Sequence, residues 1–530
     1  MNESLAIIDL LPNGRKIQAK TGKNLLTALM AHHIFLRSDC GGKGVCGKCK
    51  VESIGKEGLV SEVVACTAVV VGDMSIRIPE SSFLSAYIIP KSSAALPFSF
   101  SSGANSVPSV SDLGIAVDLG TTTIAIYLCN IKNRTVLSST AVKNPQALYG
   151  DDVMSRIGGI GQDQEKLIGL QQLVVKAIEW GVQELLRHSA ADLLKLSRMV
   201  VVGNPAMVHI FLGVSPYSIG ISPYRPAFFE ARCTQSSKLG FKFPPIDVHT
   251  LDQTAGFIGG DILSAIMATE LEDEPVGTLL VDLGTNGELA LKGKNNIYAT
   301  SCATGPAFEG AAISCGMQAI PGAIDRVIIA GRESTPEYSV IKLHDEKGRK
   351  PSGLCGSGVI SAVAALVQAG IVDSSGRFEK KIPLARLQCS KHHDWRYVIV
   401  PENQSDIGRE IFINQKDIRS VQLGKAAIKT GIEFLLRAEG LETPAKIIIA
   451  GAFGSYLNKY DMLALGMVPP IDPSLINGVG NSAGAGAIMA LCDDACLAKT
   501  RKLAKRISVI ELAANIDFHN IFIQNLDFPN

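Results

Sequence analysis

The feature that most constrains this chain is one short pattern that occurs at two distant places. The segments IAVDLGTTTIAIYL (residues 115–128) and LLVDLGTNGELALK (residues 279–292) align without a gap, and Asp118 and Asp282 lie 164 residues apart. Each copy predicts a strand, a tight Asp-Leu-Gly-Thr turn and a second strand. One such turn is a weak signal, but two in the same register predict a duplicated domain.

A duplicated hairpin of this kind is suited to grip a phosphate chain from two sides. Glycine lets backbone N–H groups face an anion, threonine hydroxyls add donors, and two carboxylates can hold hydrated Mg²⁺ with an attacking water. We therefore predict that Asp118 and Asp282 act in nucleotide hydrolysis. Glu288 either orients that water or is a surface charge of the hairpin. The residues expected around the phosphates are Gly120, Thr121, Thr122, Thr123, Gly284, Thr285, Asn286 and Gly287.

A second constraint is the stretch CGGKGVCGKC, residues 40–49, which has two incompatible interpretations. Residues 42–48 nearly match a phosphate-binding loop, but Cys49 stands where that loop needs a hydroxyl for magnesium. As metal ligands, the cysteines follow C-x5-C-x2-C-x16-C, one residue longer in the first gap than plant-type [2Fe–2S] ferredoxins. A zinc site would ordinarily show a second cysteine pair. The predicted cluster ligands are Cys40, Cys46, Cys49 and Cys66.

The residues around these cysteines fit a small β-grasp fold of the ferredoxin type. Residues 5–20 predict two strands joined by a Pro-Asn-Gly turn, residues 21–34 a short helix, and residues 73–80 a closing strand. Residues 83–112 are rich in Ser, Pro, Ala and Gly and lack any period, which predicts a flexible linker. The expected domains are a ferredoxin-like unit (1–82), this linker (83–112) and two halves of a duplicated α/β domain (113–275 and 276–530).

Composition argues against two classes of partner. The 51 Lys and Arg residues balance 50 Asp and Glu, which leaves no basic surplus for nucleic acid or an anionic membrane. The sequence contains no run of about 18 apolar residues, and its start lacks the pattern of a secretory signal. Since only four of the 12 cysteines follow the cluster spacing, we expect a reducing, cytoplasmic location.

The repeat resembles the phosphate hairpins of the ASKHA superfamily, which includes acetate and sugar kinases, Hsp70 and actin. KIIIAGAFGSYL, residues 446–457, is similar to the adenosine motif of that superfamily, although Gly451 and Ala452 replace the usual double glycine. GNSAGAGAIMAL, residues 480–491, resembles the small-residue helix at its interdomain hinge. The resemblance implies ATP as the nucleotide, and it places Gly451, Ala452, Phe453 and Gly454 near the adenosine.

A ferredoxin-like unit joined to an ASKHA ATPase resembles one family closely, the ATP-dependent reductive activators of corrinoid proteins. The resemblance extends over nearly the whole chain and includes residues 144–157, 203–228, 303–317, 353–358 and 417–432. It implies that one electron passes from a [2Fe–2S] cluster to Co(II), with ATP and Mg²⁺, and restores Co(I) in a corrinoid protein of a methyltransferase system. The implied electron donor is a low-potential ferredoxin or flavoprotein reductase.

Two details of this resemblance concern partners. Larger members carry an extra small domain after the linker that this chain lacks, so the resemblance leaves a homodimer open. Within residues 203–228, the side chains expected to face the corrinoid protein are Asn204, His209, Tyr224 and Arg225. His209 is not assigned to cobalt, because a lone histidine is more often a hydrogen-bonded core residue.

Three other functions stay open. A phosphotransferase with an iron–sulfur sensor would hydrolyse ATP without any corrinoid and would yield a phosphorylated product. A plain electron carrier with a degenerate ATPase half would not need Asp118 or Asp282. An activator of a radical dehydratase also joins an ASKHA fold to an iron–sulfur centre, but that class bridges a [4Fe–4S] cluster between subunits and lacks an N-terminal ferredoxin-like unit.

Overall fold

The computed structural model describes most of the chain, with gaps at some of the predicted site residues. The described residues are 4–12, 14–32, 34, 36, 44, 49–55, 59–79, 82, 113–150, 152–310, 313–342, 348–380, 384–389, 394–451 and 457–529. The predicted linker, Cys40 and Cys46 lie outside them, as do Ala452, Phe453 and Gly454 of the predicted adenosine motif.

In its described residues, the first unit is a five-stranded sheet on which a helix packs. Its elements are β1 (Leu5–Leu11), β2 (Arg15–Lys20), α1 (Leu25–Ala31), β3 (Lys50–Ile54), β4 (Val60–Val64) and β5 (Met74–Arg77). The strand order is β2-β1-β5-β3-β4, and β5 returns through the middle of the sheet, parallel to β1. Ala6, Ile8 and Leu10 alternate with more exposed neighbours along β1 and pack in the core with α1. This arrangement is the predicted β-grasp fold.

The second unit is a six-stranded mixed sheet. Its strands are β6 (Leu113–Leu119), β7 (Thr123–Asn130), β8 (Thr135–Lys143), β9 (Leu196–Gly203), β10 (Cys233–Gln235) and β11 (Asp247–Thr250), and its helices are α2 (Val153–Ile160), α3 (Gln164–His188), α4 (Pro205–Phe211), α5 (Ser236–Leu239) and α6 (Gly260–Ala268). The strand order is β10-β11-β9-β6-β7-β8. Every residue of β6 is buried, as expected for a strand that is covered on both faces.

The third unit repeats this sheet and adds two small ones. Its strands are β12 (Thr278–Leu283), β13 (Gly287–Lys292), β14 (Ile297–Cys302), β15 (Ala323–Ile328), β16 (Glu337–Val340), β17 (Gly353–Leu354), β18 (Leu387–Cys389), β19 (Trp395–Val400), β20 (Ile411–Asn414), β21 (Lys446–Ala450), β22 (Ile476–Gly480) and β23 (Ile507–Val509). Its helices are α7 (Gly356–Gln368), α8 (Gln415–Glu439), α9 (Lys459–Ala464), α10 (Ser482–Cys492), α11 (Asp494–Ala504) and α12 (Phe518–Gln524). The main sheet has the order β22-β21-β12-β13-β14-β23, and the small sheets are β16-β15-β17 and β18-β19-β20.

The two large sheets share one topology, which explains the sequence repeat. Strands β6, β7 and β8 form an antiparallel meander, and so do β12, β13 and β14. Strand β9 lies parallel to β6 and β11 parallel to β9, just as β21 lies parallel to β12 and β22 parallel to β21. The ASKHA-like duplication predicted from the sequence is therefore present as a repeated arrangement of strands.

Helix α10 connects the two halves. It follows β22 in the second half, but Ala485, Ile488 and Leu491 share a buried cluster with residues of β6, β7 and β9 in the first half. All of its residues are buried. The small-residue helix predicted from residues 480–491 is thus a close contact between the halves.

The longest described helices, α3 and α8, have 25 residues each and are amphipathic. In α3, Leu170, Val174 and Ile178 are buried at helical spacing, whereas the opposite side carries exposed charged residues. Within the described ranges, no helix combines the length and apolar character that a membrane span requires.

Candidate functional site

Two of the four predicted cluster ligands are described, and they lie side by side. Cys49 immediately precedes β3 and Cys66 follows β4, and the pairing of these strands brings the two residues together. The buried Cys49 sulfur accepts a hydrogen bond from the Cys66 backbone N–H at 3.4 Å. The Asn24 side chain donates to the Cys66 carbonyl and also caps α1, so it ties this loop to the helix.

This pair fits a thiolate-ligated iron–sulfur cluster. Cysteine sulfurs are the usual protein ligands of such clusters, and backbone N–H groups that donate to sulfur orient them and tune their potential. Cys49 and Cys66 are both free thiols. Because Cys40 and Cys46 lie outside the described residues, the assignment of all four ligands stays a prediction.

The two predicted phosphate hairpins meet at their turns. The hydroxyl oxygens of Thr122 and Thr285 lie 2.6 Å apart. Within the first turn, the Gly120 N–H donates to the Thr123 carbonyl at 3.1 Å, and a methyl group on Gly120 would lie 2.6 Å from that oxygen. Glycine is needed there for this close approach. The predicted residues Gly120, Thr121, Thr122, Thr123, Gly284, Thr285, Asn286 and Gly287 therefore belong to two turns that the fold brings into contact.

The register of the second hairpin adds a carboxylate to this place. Asp118 pairs with Ala125 across the first hairpin, whereas Asp282 pairs with Glu288 across the second. Residues paired across strands project from the same face of a sheet, so Glu288 lies beside Asp282. Its carboxylate is half-buried and accepts a hydrogen bond from the Ser301 hydroxyl at 3.3 Å. Glu288 therefore lies beside Asp282 and is not fully exposed, and its role in catalysis stays a prediction.

A further carboxyl group joins these residues from the first turn of α6. Burial, reinforced by the carboxylates of Asp282 and Asp118, raises the pKa of Asp261 to about 7. Burial, together with the charges of Asp261 and Asp282, also raises the pKa of Glu288 well above its ordinary value. Carboxylates this close cannot all ionise unless positive charge is supplied. In the described part of the chain, however, no three His, Cys, Asp or Glu side chains form a group that could hold a metal on its own.

Asn481 links Asp118 to the second half. It is the N-cap of α10, where its Oδ1 accepts from the Gly484 N–H at 3.2 Å. Its Nδ2 donates to Asp118 Oδ2 and to the Tyr127 hydroxyl, both at 2.9 Å. Burial and the charge of Asp118 raise the pKa of Tyr127, which keeps that hydroxyl neutral. The orientation of Asp118 in the first half thus depends on a side chain from the second.

Gly451 of the predicted adenosine motif lies against the second hairpin. Its backbone has a left-handed φ of 93°, and its N–H donates to the Gly480 carbonyl at 2.9 Å. A methyl group on Gly451 would lie 2.8 Å from Asp282 Oδ1 and 2.5 Å from the Leu283 carbonyl oxygen. The end of β21 therefore passes directly over the carboxylate of the second hairpin, and only glycine fits there.

Residues 303–310 support the second hairpin. The Thr285 hydroxyl donates to Glu309 Oε2 at 2.9 Å, and the Thr304 hydroxyl donates to the Thr285 carbonyl at the same distance. Both partners belong to the stretch ATGPAFEG, which the sequence analysis used only for the family resemblance. This stretch fixes the threonine that meets the first hairpin.

The first part of residues 203–228 is buried, from Gly203 to Phe211. Asn204 is buried next to the first hairpin. His209 is also buried: its Nδ1 donates to the Pro205 carbonyl at 2.7 Å, and its Nε2 accepts from the Ala227 N–H at 3.0 Å. The expectation that these two side chains face a partner is therefore wrong. Of the other two residues, Tyr224 is half-buried and Arg225 is exposed.

The sequence analysis assigned no site role to several of these residues, because nothing in their own segments indicates which side chains the fold brings to the hairpins or the cysteines. Asp261 and Asn481 share one signal, a polar residue at the start of a helix that is otherwise largely apolar. The others sit in stretches without a chemical pattern of their own. The residues missed in this way are Asn24, Asp261, Thr304, Glu309 and Asn481. Asn204 was assigned a different role.

Three family models match the chain in succession. Residues 8–71 match a 2Fe-2S iron–sulfur cluster binding domain, residues 113–274 match the RACo middle region, and residues 277–530 match the C-terminal ASKHA domain of RACo.

Characterised relatives agree with these matches. The corrinoid activation enzyme RamQ of Eubacterium limosum is 31% identical over 425 residues, which cover 78% of this chain and 70% of that protein. The [Co(II) methylated amine-specific corrinoid protein] reductase of Methanosarcina barkeri is 25% identical over 451 residues, 78% of this chain and 77% of that protein. The solved structure of a reductive activator for corrinoid, iron–sulfur protein superimposes with a TM-score of 0.73 at 27% identity, covering 99% of this chain and 98% of that one.

Proposed function

Since this chain belongs to the RACo family of reductive activators for corrinoid proteins, we propose that it reduces the Co(II) state of a corrinoid protein to Co(I) in a reaction coupled to ATP hydrolysis. The observation that carries the proposal is the contact between Thr122 and Thr285, which joins two phosphate hairpins in a chain whose residues 8–71 match a [2Fe–2S] domain. A low-potential ferredoxin or flavoprotein reductase is the proposed electron donor.

The electron passes through the N-terminal unit. A [2Fe–2S] cluster supplies one-electron transfer when it is bound, and Cys40, Cys46, Cys49 and Cys66 would hold it. The hydrogen bond from the Cys66 N–H to the Cys49 sulfur disperses negative charge on that ligand. The buried surroundings of Cys49 also limit the access of water to it.

The nucleotide binds between the hairpins. We place the terminal phosphates of ATP against Thr122 and Thr285, with Asp118 and Asp282 directed at Mg²⁺ and Glu288 at the attacking water. Mg²⁺ usually binds to one or two carboxylates together with substrate phosphates and keeps several waters, so this site needs no closed cage of protein ligands. Positive charge beside Glu288 favours its ionised form, which accepts a proton from water.

Nucleotide binding and the position of the two halves are linked. A phosphate that enters between Thr122 and Thr285 must replace their 2.6 Å contact. A typical coupling energy of about 1–3 kcal/mol would shift a one-electron potential by only about 40–130 mV. ATP hydrolysis must therefore drive a larger change of conformation than the loss of this one contact. The halves move about α10, the helix that Asn481 caps.

The test is an anaerobic optical titration of a Co(II) corrinoid protein with this chain and a low-potential reductant, with and without ATP and Mg²⁺. We expect the Co(I) band only with ATP, and we expect no band from Cys49→Ser or Asp282→Ala. Cys389→Ser and Asp273→Ala are matched controls, because both side chains are exposed and belong to neither site.

Two outcomes would contradict this function. If cobalt stays Co(II) with several corrinoid proteins while ATP is still consumed, the phosphotransferase alternative replaces it. If Asp282→Ala still delivers the electron, the chain is a plain electron carrier.

A further inference from the structure

The first phosphate hairpin rests on a buried arginine. Arg156, in α2, is fully buried and is the largest of the fully buried side chains in the described part of the chain. Its Nη2 donates to the Thr121 carbonyl at 2.6 Å, and its Nε donates to the Gly150 carbonyl at 2.9 Å. Its Nη1 lies 3.4 Å from Gln146 Oε1 and 3.2 Å from Met207 Sδ. The guanidinium thus joins the phosphate turn to two other segments.

Two asparagines hold the same turn at neighbouring atoms. Asn144 Nδ2 donates to the Gly120 carbonyl at 3.0 Å, and the Asn144 backbone N–H donates to the Thr122 carbonyl at 2.7 Å. Asn204 Nδ2 donates to the Thr121 hydroxyl at 3.1 Å. With Arg156, donors therefore engage three consecutive carbonyl groups of the turn.

We infer that Arg156 is a positioning residue for the phosphate groups of ATP, an inference that rests on the proposed function. A carbonyl oxygen directed at the space between the two hairpins would repel a phosphate bound there. The donors of Arg156 and Asn144 bind the three carbonyl oxygens of the first turn and so keep them directed away from the phosphate. The positive charge of Arg156 is separated from Thr122 by a single peptide unit. The guanidinium therefore acts on the turn through its hydrogen bond to the Thr121 carbonyl.

A lysine cannot replace this arrangement. The planar guanidinium donates in three fixed directions at once, to Thr121, Gly150 and Gln146, whereas an ammonium group is a point charge on a flexible stem. Arg156→Lys keeps the charge and removes the geometry. A matched control is Arg386→Lys, because Arg386 also donates to backbone carbonyls, those of Val398 and Ile399, but in the second half and away from the hairpins.

The experiment measures ATP hydrolysis and inhibition by adenosine in the full-length chain. For Arg156→Lys we expect KM for ATP to rise about tenfold, which corresponds to about 1.4 kcal/mol, and kcat to change less than about threefold. The inhibition constant of adenosine, which lacks phosphates, should stay at the wild-type value, and Arg386→Lys should behave as wild type. In Arg156→Ala, added guanidinium should recover part of the lost affinity for ATP.

Each contrary result has a distinct meaning. A wild-type KM in Arg156→Lys would overturn the inference and leave the proposed function intact. Equal losses of ATP and adenosine affinity would also overturn it, because they would show that Arg156 only holds the fold. If the wild-type chain neither binds nor hydrolyses ATP, the proposed function fails and this inference with it. Arg156→Lys decides the matter even if Arg156→Ala does not fold.

Discussion

Glu288 is the residue whose surroundings could least be predicted from the sequence. It stands across from Asp282 on the paired strand, and burial next to two other carboxyl groups raises its pKa. We predict that Glu288→Gln lowers kcat for ATP hydrolysis about 100-fold to 10,000-fold, the range typical of general acid–base catalysis. The affinity for ATP should change little, because the amide has nearly the same shape.

Steady-state ATP hydrolysis with and without a corrinoid partner checks this prediction. Glu337→Gln is the control, since Glu337 is exposed on β16. A wild-type kcat in this variant would show that Glu288 does not take part in ATP hydrolysis, which would leave Asp282 as the catalytic carboxylate of the second hairpin. A loss of ATP affinity at unchanged kcat would instead point to a role in binding.

His209 makes the first half sensitive to acid. Burial is the main cause that lowers the pKa of His209 to about 4, and the Arg232 charge adds to it. The folded state therefore binds fewer protons than the unfolded state between pH 6.5 and 4, so the stabilisation present above pH 6.5 is lost as the pH falls. At pH 5 the predicted loss is about 2 kcal/mol relative to pH 7.

Hydrogen exchange of helix α4, corrected for the intrinsic rate at each pH, measures this loss locally. In His209→Gln the difference between pH 7 and pH 5 should shrink, because no imidazole remains to titrate. His519→Gln should keep the wild-type difference, since His519 is exposed in α12. An undiminished difference in His209→Gln would assign the acid sensitivity to other groups.

Among single residues, those that belong to a local sequence motif could be predicted. Those that the fold brings to the site from other segments could not. Asp118 and Asp282 belong to a repeated motif, and Cys49 and Cys66 to a spacing, so both pairs could be predicted. Asp261 could not, because its place beside Asp282 depends on how α6 packs. His209 illustrates a further limit. Both of its ring nitrogens form hydrogen bonds with backbone groups, and these partners can be identified only from the fold.

The hairpins show the same limit among elements. Their sequences align without a gap, which predicted two equivalent turns, yet the strand pairing makes the first turn one residue longer. One residue reverses the side on which the returning side chains project. For this reason the second hairpin presents Glu288 opposite its aspartate, and the first presents Ala125. Periodicity identified both hairpins, but the register of a hairpin is set by the length of its turn, which the aligned sequences do not reveal.

The turn after β21 offers a test at the level of elements. We predict that Gly451→Ala lowers the rate of ATP hydrolysis at least about tenfold and costs about 1–3 kcal/mol of stability, because the methyl group would press on Asp282 and the left-handed backbone disfavours a side chain. Hydrolysis rates and thermal unfolding measure the two effects separately.

Gly440→Ala is the matched control for that variant. Gly440 ends α8 with a similar left-handed φ of 74°, and nothing lies within 4 Å of the position of an added methyl group. Its stability should fall for the same backbone reason, while its hydrolysis rate stays unchanged. If both variants hydrolyse ATP at the wild-type rate, the turn after β21 does not constrain Asp282.

For the molecule as a whole, the order of the units could be predicted from the sequence, but the contacts between the two halves could not. The ferredoxin-like unit and the duplicated domain were predicted from the cysteine spacing and the repeat, and the fold agrees with both. The cross-half contacts were not predictable, because Asn481 meets Asp118, and Thr122 meets Thr285, only after two separate sheets have folded. These contacts connect the proposed nucleotide site to the relative position of the halves.

A chain that joins an electron carrier to an ATPase should need both in the same molecule. A tethered domain acts at an effective concentration in the millimolar range, about a thousandfold above a micromolar solution. We therefore predict that a mixture of Cys49→Ser and Asp282→Ala, each at about 1 µM, reduces Co(II) at less than about a tenth of the wild-type rate. Each variant should retain the activity of its intact half, namely ATP hydrolysis in Cys49→Ser and the [2Fe–2S] absorption in Asp282→Ala.

The dependence on concentration gives this experiment its second arm. If an electron can pass between chains by collision, the activity of the mixture should rise in proportion to total protein, whereas the wild-type rate per chain stays constant. Substantial recovery already at about 1 µM would mean that the cluster of one chain serves the ATPase of another. That result would contradict electron transfer within one chain and would make a homodimer the functional unit. The same titration therefore decides whether the electron passes within a chain or between subunits.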